Sequence, residues 1–274
     1  MTSSALQDII ALLGCPAAGN PAQYLFERAI DAADLDWRFV TCDVAEADVA
    51  EAIAGARALG FRGCLLSGRL RAAAMAHVAT VSPSAAFAGA ISLIERRPDG
   101  LAGHMTDGRG IVEAVRAHID PAGKTVLVVG ADACGRATAL EFALAGATAI
   151  VVADPDVAAA AGLVEALAAV HGTLASTVEW AAPLAVPDHV GIVAVCPLPS
   201  VRFSLEALRP DLVVADAILS GQLSPAAAQA ADRGCCVVDG IEIHAAQTAI
   251  DFHSLSGIEP DAEMLREALE EFMS

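Results

Sequence analysis

An α/β fold in two domains is what this chain predicts, and three features predict it. Short apolar runs bounded by turn residues alternate with stretches of helical periodicity, the mark of βα units around a mainly parallel sheet. The alternation comes in two blocks, separated near residues 105–120. The composition, 55% hydrophobic and only 4% aromatic with much alanine, suits helices packed closely on sheets. A length of 274 residues is enough for one large core or two modest ones.

The elements follow in order. "DIIALLG" is a first strand, "AQYLFERAIDAADL" carries apolar residues at helical spacing, and "DWRFVTCDV" is a second strand. "EADVAEAIAGARALG" then reads as a helix, "FRGCLLSG" as a strand, and "AGAISLIERRPDGLAGH" as a hairpin turning at "RPDG". "TDGRGIVEAVRAHI" is a helix placed to bridge two domains. The second block runs strand "KTVLVVG", helix "CGRATALEFALAGA", strand "AIVVADPD" and helix "VAAAAGLVEALAAVHG". Strands at "GIVAVCP", "LVVADA" and "CCVVDG" follow, with turns and one short helix between them, and the final stretches "AAQTAIDFHSLSG" and "DAEMLREALEEFMS" are helical. The expected domains are residues 1–105, joined by 245–274 returning to them, and residues 106–244.

Charge and cysteine usage narrow the function. The net charge of −18, from 16 Lys+Arg against 34 Asp+Glu, repels phosphate backbones and anionic headgroups. Nucleic acid and membrane surfaces are therefore not expected partners. A small anion still is, because a few local arginines can dominate a pocket. The N-terminus lacks a basic leader, and no uncharged apolar run has membrane length. Seven cysteines without CxxC spacing read as free thiols in a reducing compartment, so a cytoplasmic protein is expected. No metal motif occurs: no HExxH, no cysteine–histidine cluster, no Asp-rich loop. "VSPSA" lacks the context of a hydrolase elbow.

The stretch "TVLVVGADACG" carries the sharpest signal. A strand running into Gly-x-x-x-x-Gly and then a helix is the context of a dinucleotide loop. Gly130 permits the tight turn and Gly135 lets helix and strand pack closely, while the pyrophosphate sits on the helix N-terminus. Asp132 stands where the middle glycine of such a loop belongs. It adds bulk and negative charge, and is also suited to capping the helix that follows, using donors a phosphate would take. Asp154, at the end of "AIVVADPD", lies where an acid accepts the adenosine 2′-hydroxyl and repels a 2′-phosphate, which favours NAD over NADP. It is equally a plain strand-end residue before Pro155. Cys134, at the helix N-terminus, is placed to have its thiol pKa lowered, or is simply a small core residue.

Read in order, the chain resembles the shikimate dehydrogenase family over nearly its whole length. "GNP" (Gly19, Asn20, Pro21) is similar to the family's first turn, but the Ser-x-Ser segment that follows it in the family is missing. "LLSGRLR" stands at Asn-Val-Thr-Ile-Pro-His-Lys: Leu65 replaces the Asn, Ser67 the Thr and Arg71 the catalytic Lys. "GAISL" places Ser92 at an Asn position, and "MTDG" keeps Thr106, Asp107 and Gly108. "GADACGR" stands at the Gly-rich loop, with Ala131 inside it and Arg136 in register. "VCPLP" is similar to a strand end of the family, and "VVDGIEIHAAQTA" puts Gln247 at the substrate-touching glutamine, with Glu242 replacing a glycine. The resemblance implies a two-domain fold with an interdomain cleft, NAD(P), and a small hydroxylated ring acid as substrate.

Alcohol-to-ketone oxidation needs a hydride acceptor and a group to take the hydroxyl proton. Arg71 cannot easily act as that base, since guanidinium stays protonated, but it can clamp a carboxylate or polarise a carbonyl. Asp107 is a candidate base or orienter, and also a candidate helix cap. His104 and His244 are further acid/base candidates. Arg69 and Arg71 are either solvent charges or an anion site. We therefore expect an NAD-preferring dehydrogenase for a small carboxylate substrate, with Asp107 and Arg71 catalytic. Ser67, Arg71, Ser92, Thr106 and Gln247 are expected at the substrate, and Gly130, Ala131, Asp132, Gly135, Arg136 and Asp154 at the cofactor. A non-catalytic ligand- or nucleotide-binding protein that kept the fold remains the rival reading. A shikimate or quinate dehydrogenase with a rebuilt pocket is a third. A homodimer is compatible with either enzyme reading.

Overall fold

The computed structural model describes residues 7–274, so residues 1–6 of the segment read for a leader lie outside the described residues. The chain forms two compact units. Among the described residues, the first is the segment through Thr106 with Thr248–Phe272 and Ser274, and the second is Asp107–Gln247 with Met273.

The first unit is built on a six-stranded sheet in the order β2-β1-β3-β5-β6-β4. Its strands are β1 (Asp8–Gly14), β2 (Trp37–Asp43), β3 (Gly63–Leu66), β4 (Thr80–Val81), β5 (Leu93–Arg97) and β6 (Gly100–His104). β1 pairs in parallel with β2 and β3, whereas β5 and β6 form the antiparallel hairpin expected at "RPDG". The helices are α1 (Ala22–Ala32), α2 (Val49–Leu59), α3 (Leu70–Ala73) and α4 (Pro83–Ala88). α4 starts where Ser82 Oγ accepts from Ala85 N and Pro83 takes the first helical turn, which needs no amide donor there. Phe26, Phe39, Trp37 and Phe252 meet in tilted and edge-on contacts at 5.1–6.5 Å between centroids and join α1, β2 and the returning C-terminal segment into one core.

The second unit holds a fully parallel sheet in the order β12-β11-β10-β7-β8-β9. Its strands are β7 (Thr125–Val129), β8 (Ala149–Ala153), β9 (Leu174–Thr177), β10 (Ile192–Val195), β11 (Val213–Asp216) and β12 (Cys236–Val238). The central strands are buried on both faces, which is why they read as continuous Val/Ile/Leu runs instead of alternating ones. The helices are α5 (Asp107–Arg116), α6 (Ala133–Leu144), α7 (Val157–Val170) and α8 (Pro225–Asp232). α9 (Gly240–Ser256) and α10 (Ala262–Met273) complete the chain. The order reverses between β10 and β7, so a crevice at the carboxyl ends of these strands is the switch point of a doubly wound sheet. Among the described residues, no helix is long and apolar enough to cross a membrane, and no group of metal-ligating side chains is assembled.

Candidate active site

The glycine loop lies at that switch point. β7 ends in the buried Val129, and Gly130 turns the chain with φ of +108°, a value side chains resist. A Cβ at Gly135 would lie 2.6 Å from the Gly130 carbonyl carbon and closer still to its oxygen, so only glycine lets α6 start this near the strand. Asp132 is extended and its Oδ1 accepts from Gly135 N at 3.0 Å, capping α6. Arg136 N donates to Asp132 O. Helix geometry leaves the first-turn amides of Ala133, Cys134 and Gly135 without an intrahelical carbonyl, and Asp132 Oδ1 takes the last of them.

Asp154 braces the same loop from the end of β8. Ala131 N donates to Asp154 Oδ2 and Asp156 N to Asp154 Oδ1, each at 2.7 Å. Both readings of this residue thus rest on one geometry: it is a strand-end acid, and it sits against the loop. Asp156 caps α7 through the amides of Ala158 and Ala159. The expected lowering of the Cys134 thiol is reversed. Its contact with the Cys196 thiol, then burial, hold it well above the ordinary thiol range.

Asp107 opens α5 and is buried, and Gln247 Nε2 donates to its Oδ1 at 2.7 Å. The approach is local and built in. A Cβ at Gly110 would lie 2.7 Å from Gln247 Cβ, so the second glycine of "DGRG" brings α5 against the stretch of α9 that carries Gln247. The glutamine fixes the orientation of the carboxylate.

In the first unit, Ser92 and Thr106 are both buried and joined twice. Their hydroxyls lie 2.9 Å apart, and Thr106 N donates to Ser92 Oγ at 2.9 Å. Arg71, half-buried in α3, directs Nε to Leu66 O at 3.0 Å, whereas Arg69 is exposed. Ser67 follows β3, and its amide donates to Leu13 O. His104 pairs with Glu95 across the hairpin, Nε2 to Oε2 at 3.0 Å. His244 lies in the first half of α9, half-buried.

One group was missed in the sequence. Asp216 ends β11 almost fully buried, accepts from Ile218 N at 3.1 Å and from Ser224 Oγ, and faces a cavity of about 160 Å³ shared with Gln222 and Asp239. Burial raises its carboxyl above the ordinary 3.8, opposed in part by the Ser224 and Ile218 donors. Its signal was legible as an acid directly after the apolar run "LVVA".

The comparisons with known proteins agree in one direction. No family model matches the sequence. A shikimate dehydrogenase (NADP(+)) of Halobacterium salinarum is 32% identical over 263 residues, covering 96% of this chain and 98% of that protein. The ligand-free 5-ketofructose reductase of Gluconobacter sp. strain CHM43 superposes with a TM-score of 0.92 at 26% identity, covering 98% of this chain and 99% of the other. A shikimate 5-dehydrogenase of Listeria monocytogenes, in complex with shikimate and NAD, has the same fold, with a TM-score of 0.86 at 21% identity over 97% of this chain and 98% of the other. With a relative of this identity spanning both chains almost end to end, the chain belongs to the shikimate dehydrogenase family.

Proposed function

We propose that the chain is an NAD-preferring dehydrogenase that interconverts a hydroxyl and a ketone on a small ring acid. The observation that carries this reading is the buried carboxylate of Asp107 held by Gln247, because proton transfer to or from a hydroxyl needs an oriented acid or base. A bound nicotinamide supplies the two-electron exchange with the carbinol carbon. Asp107 accepts the hydroxyl proton in oxidation and returns it in reduction, and Gln247 holds it in place. Arg71 keeps its charge at all relevant pH and binds a carboxylate or polarises a carbonyl, its fork anchored through Nε on Leu66 O. Ser67, Ser92 and Thr106 are the hydroxyl-bearing positions assigned to substrate.

The loop suits a dinucleotide through Gly130, Ala131, Gly135, Arg136 and the amide-bearing N-terminus of α6, with Asp132 bordering it. Asp154 is assigned the adenosine ribose. Asp156 stands two residues on, and no lysine or arginine occurs from Asp154 to Val170 to neutralise a 2′-phosphate. This supports NAD over NADP, in contrast to the NADP(+) named for the Halobacterium relative. A cytoplasmic location belongs to the same reading and rests on the seven unpaired cysteines.

A second substrate reading has one observation in its favour. The chain passes from Asn20, whose Oδ1 accepts from Ala22 N, directly into α1, so the family's carboxylate-binding serine pair is absent. A sugar ketone without a carboxylate, as named for the Gluconobacter reductase, needs no such pair. The test is a screen of ring acids and keto sugars with NAD(H), run on the wild type and on Asp107→Asn. Turnover in the wild type, lower by about a hundredfold or more in a folded Asp107→Asn, is expected. Equal turnover removes Asp107 from the chemistry. Ligand binding without any turnover replaces the dehydrogenase with a binding protein.

A further inference from the structure

Three side chains of the second unit meet away from the residues assigned above. Cys236 opens β12, His118 follows α5, and Glu242 lies in the first turn of α9. Glu242 Oε1 is 2.8 Å from His118 Nε2, and His118 Nδ1 is 3.5 Å from Cys236 Sγ. The backbone of Glu242 is held in the first turn of α9, its amide donating to Asp239 Oδ1 at 3.0 Å. The sequence of contacts is nucleophile, base and orienting carboxylate.

The contacts also choose the tautomer. A carboxylate offers no proton, so Nε2 carries the ring hydrogen and donates to Glu242, which leaves the lone pair of the neutral ring on Nδ1, facing the sulfur. The site is open to small reagents: the His118 and Glu242 side chains are 33% and 29% exposed, and Cys236 is half-buried. Burial, then the charge of Glu242, push the Cys236 thiol up, so it rests protonated and needs a base at contact distance to react. Its neighbour Cys235 is buried and turns its sulfur to Arg209 O at 3.2 Å. Glu242 stands where the segment it resembles in the family has a glycine, so the carboxylate end of the relay is a feature of this chain.

We propose that Cys236 is a reactive thiol that forms mixed disulfides with low-molecular-weight disulfides, with His118 as its base and Glu242 holding the ring. In the step, Cys236 Sγ bonds to one sulfur of the reagent as the reagent's S–S bond breaks. The thiol proton passes to His118 Nδ1 and then to the departing thiolate, so one disulfide is exchanged for another with no further oxidant.

The test is labelling of the full-length protein near neutral pH with 4,4′-dithiodipyridine. This uncharged disulfide is not repelled by the chain's negative charge. Sites are mapped by peptide mass, with the exposed Cys15 as an internal reference. Cys236 is expected to label before Cys15. His118→Asn should slow Cys236 by at least about tenfold and leave Cys15 unchanged, with a slowing in the same direction in Glu242→Gln. Equal Cys15 rates show that the reagent is unchanged, and unchanged far-UV circular dichroism and urea midpoint show that the fold of the variants has been kept. Labelling of Cys15 first, or a Cys236 rate within about twofold of wild type in both variants, overturns the proposal.

Discussion

Asp132→Gly tests how the altered loop works. The substitution removes a carboxylate from the α6 N-terminus and releases Gly135 N, which now donates to Asp132 Oδ1 at 3.0 Å. Exchanging a capping acid for glycine costs only a few tenths of a kcal/mol. Losing an acid's interaction with the helix dipole adds about 0.3–1 kcal/mol. Total destabilisation should therefore stay below about 1.5 kcal/mol, because α6 is otherwise held by the fully buried Ala137, Ala139, Leu140 and Phe142. Against that, a pyrophosphate gains one charge-assisted hydrogen bond, about 1.5–3 kcal/mol, and escapes a like charge. Dinucleotide affinity should rise by about tenfold to a hundredfold. Calorimetric titration with NAD measures the affinity and urea denaturation the stability. An unchanged or weaker affinity in a variant of near wild-type stability would refute the assignment of this loop to the pyrophosphate.

Two further outcomes follow from the second unit. Gly135→Ala drives a Cβ into the Gly130 carbonyl, a backbone group that cannot rotate away, and should lower urea-measured stability by about 3 kcal/mol or more; a loss below about 1 kcal/mol would contradict this packing. Asp216 has its folded carboxyl raised, so its favourable contribution is complete below 3.8 and is lost as pH rises through the folded value. The stability of Asp216→Asn relative to wild type should accordingly climb across that window and be flat below it, and a pH-independent difference in denaturation series would refute the assignment.

The sheets were legible because their strands are continuous apolar runs, and the β5–β6 hairpin because "RPDG" punctuates it. Residues 70–88 were not, since an alanine-rich stretch has little periodicity; the cap Ser82 and first-turn Pro83 of α4 were a local signal left unread in "VSPSA". β9, "LAST", is an edge strand with exposed side chains and so shows no apolar pattern. At the site, the sequence offers residue types but not their pairing. Thr106 and Asp107 are adjacent in the motif, yet their partners are Ser92, 14 residues away, and Gln247, 140 residues away. The capping option for Asp132 could be read directly, because an N-cap depends on residues three apart. The Cys134 thiol could not, because its neighbour Cys196, the residue directly after β10, is distant in sequence, and the helix terminus alone suggested the opposite shift.

The most direct test of the account is titration of the purified wild-type protein with NAD and, separately, with NADP. The account predicts that NAD binds and that NADP binds more weakly by at least about tenfold, because Asp154 is the residue proposed for the adenosine ribose and no lysine or arginine occurs from Asp154 to Val170 to pair with a 2′-phosphate. A preference for NADP would contradict the role of Asp154. Binding of neither at millimolar concentration would mean that Asp132 has closed the loop and that the chain is not an NAD(P)-dependent dehydrogenase.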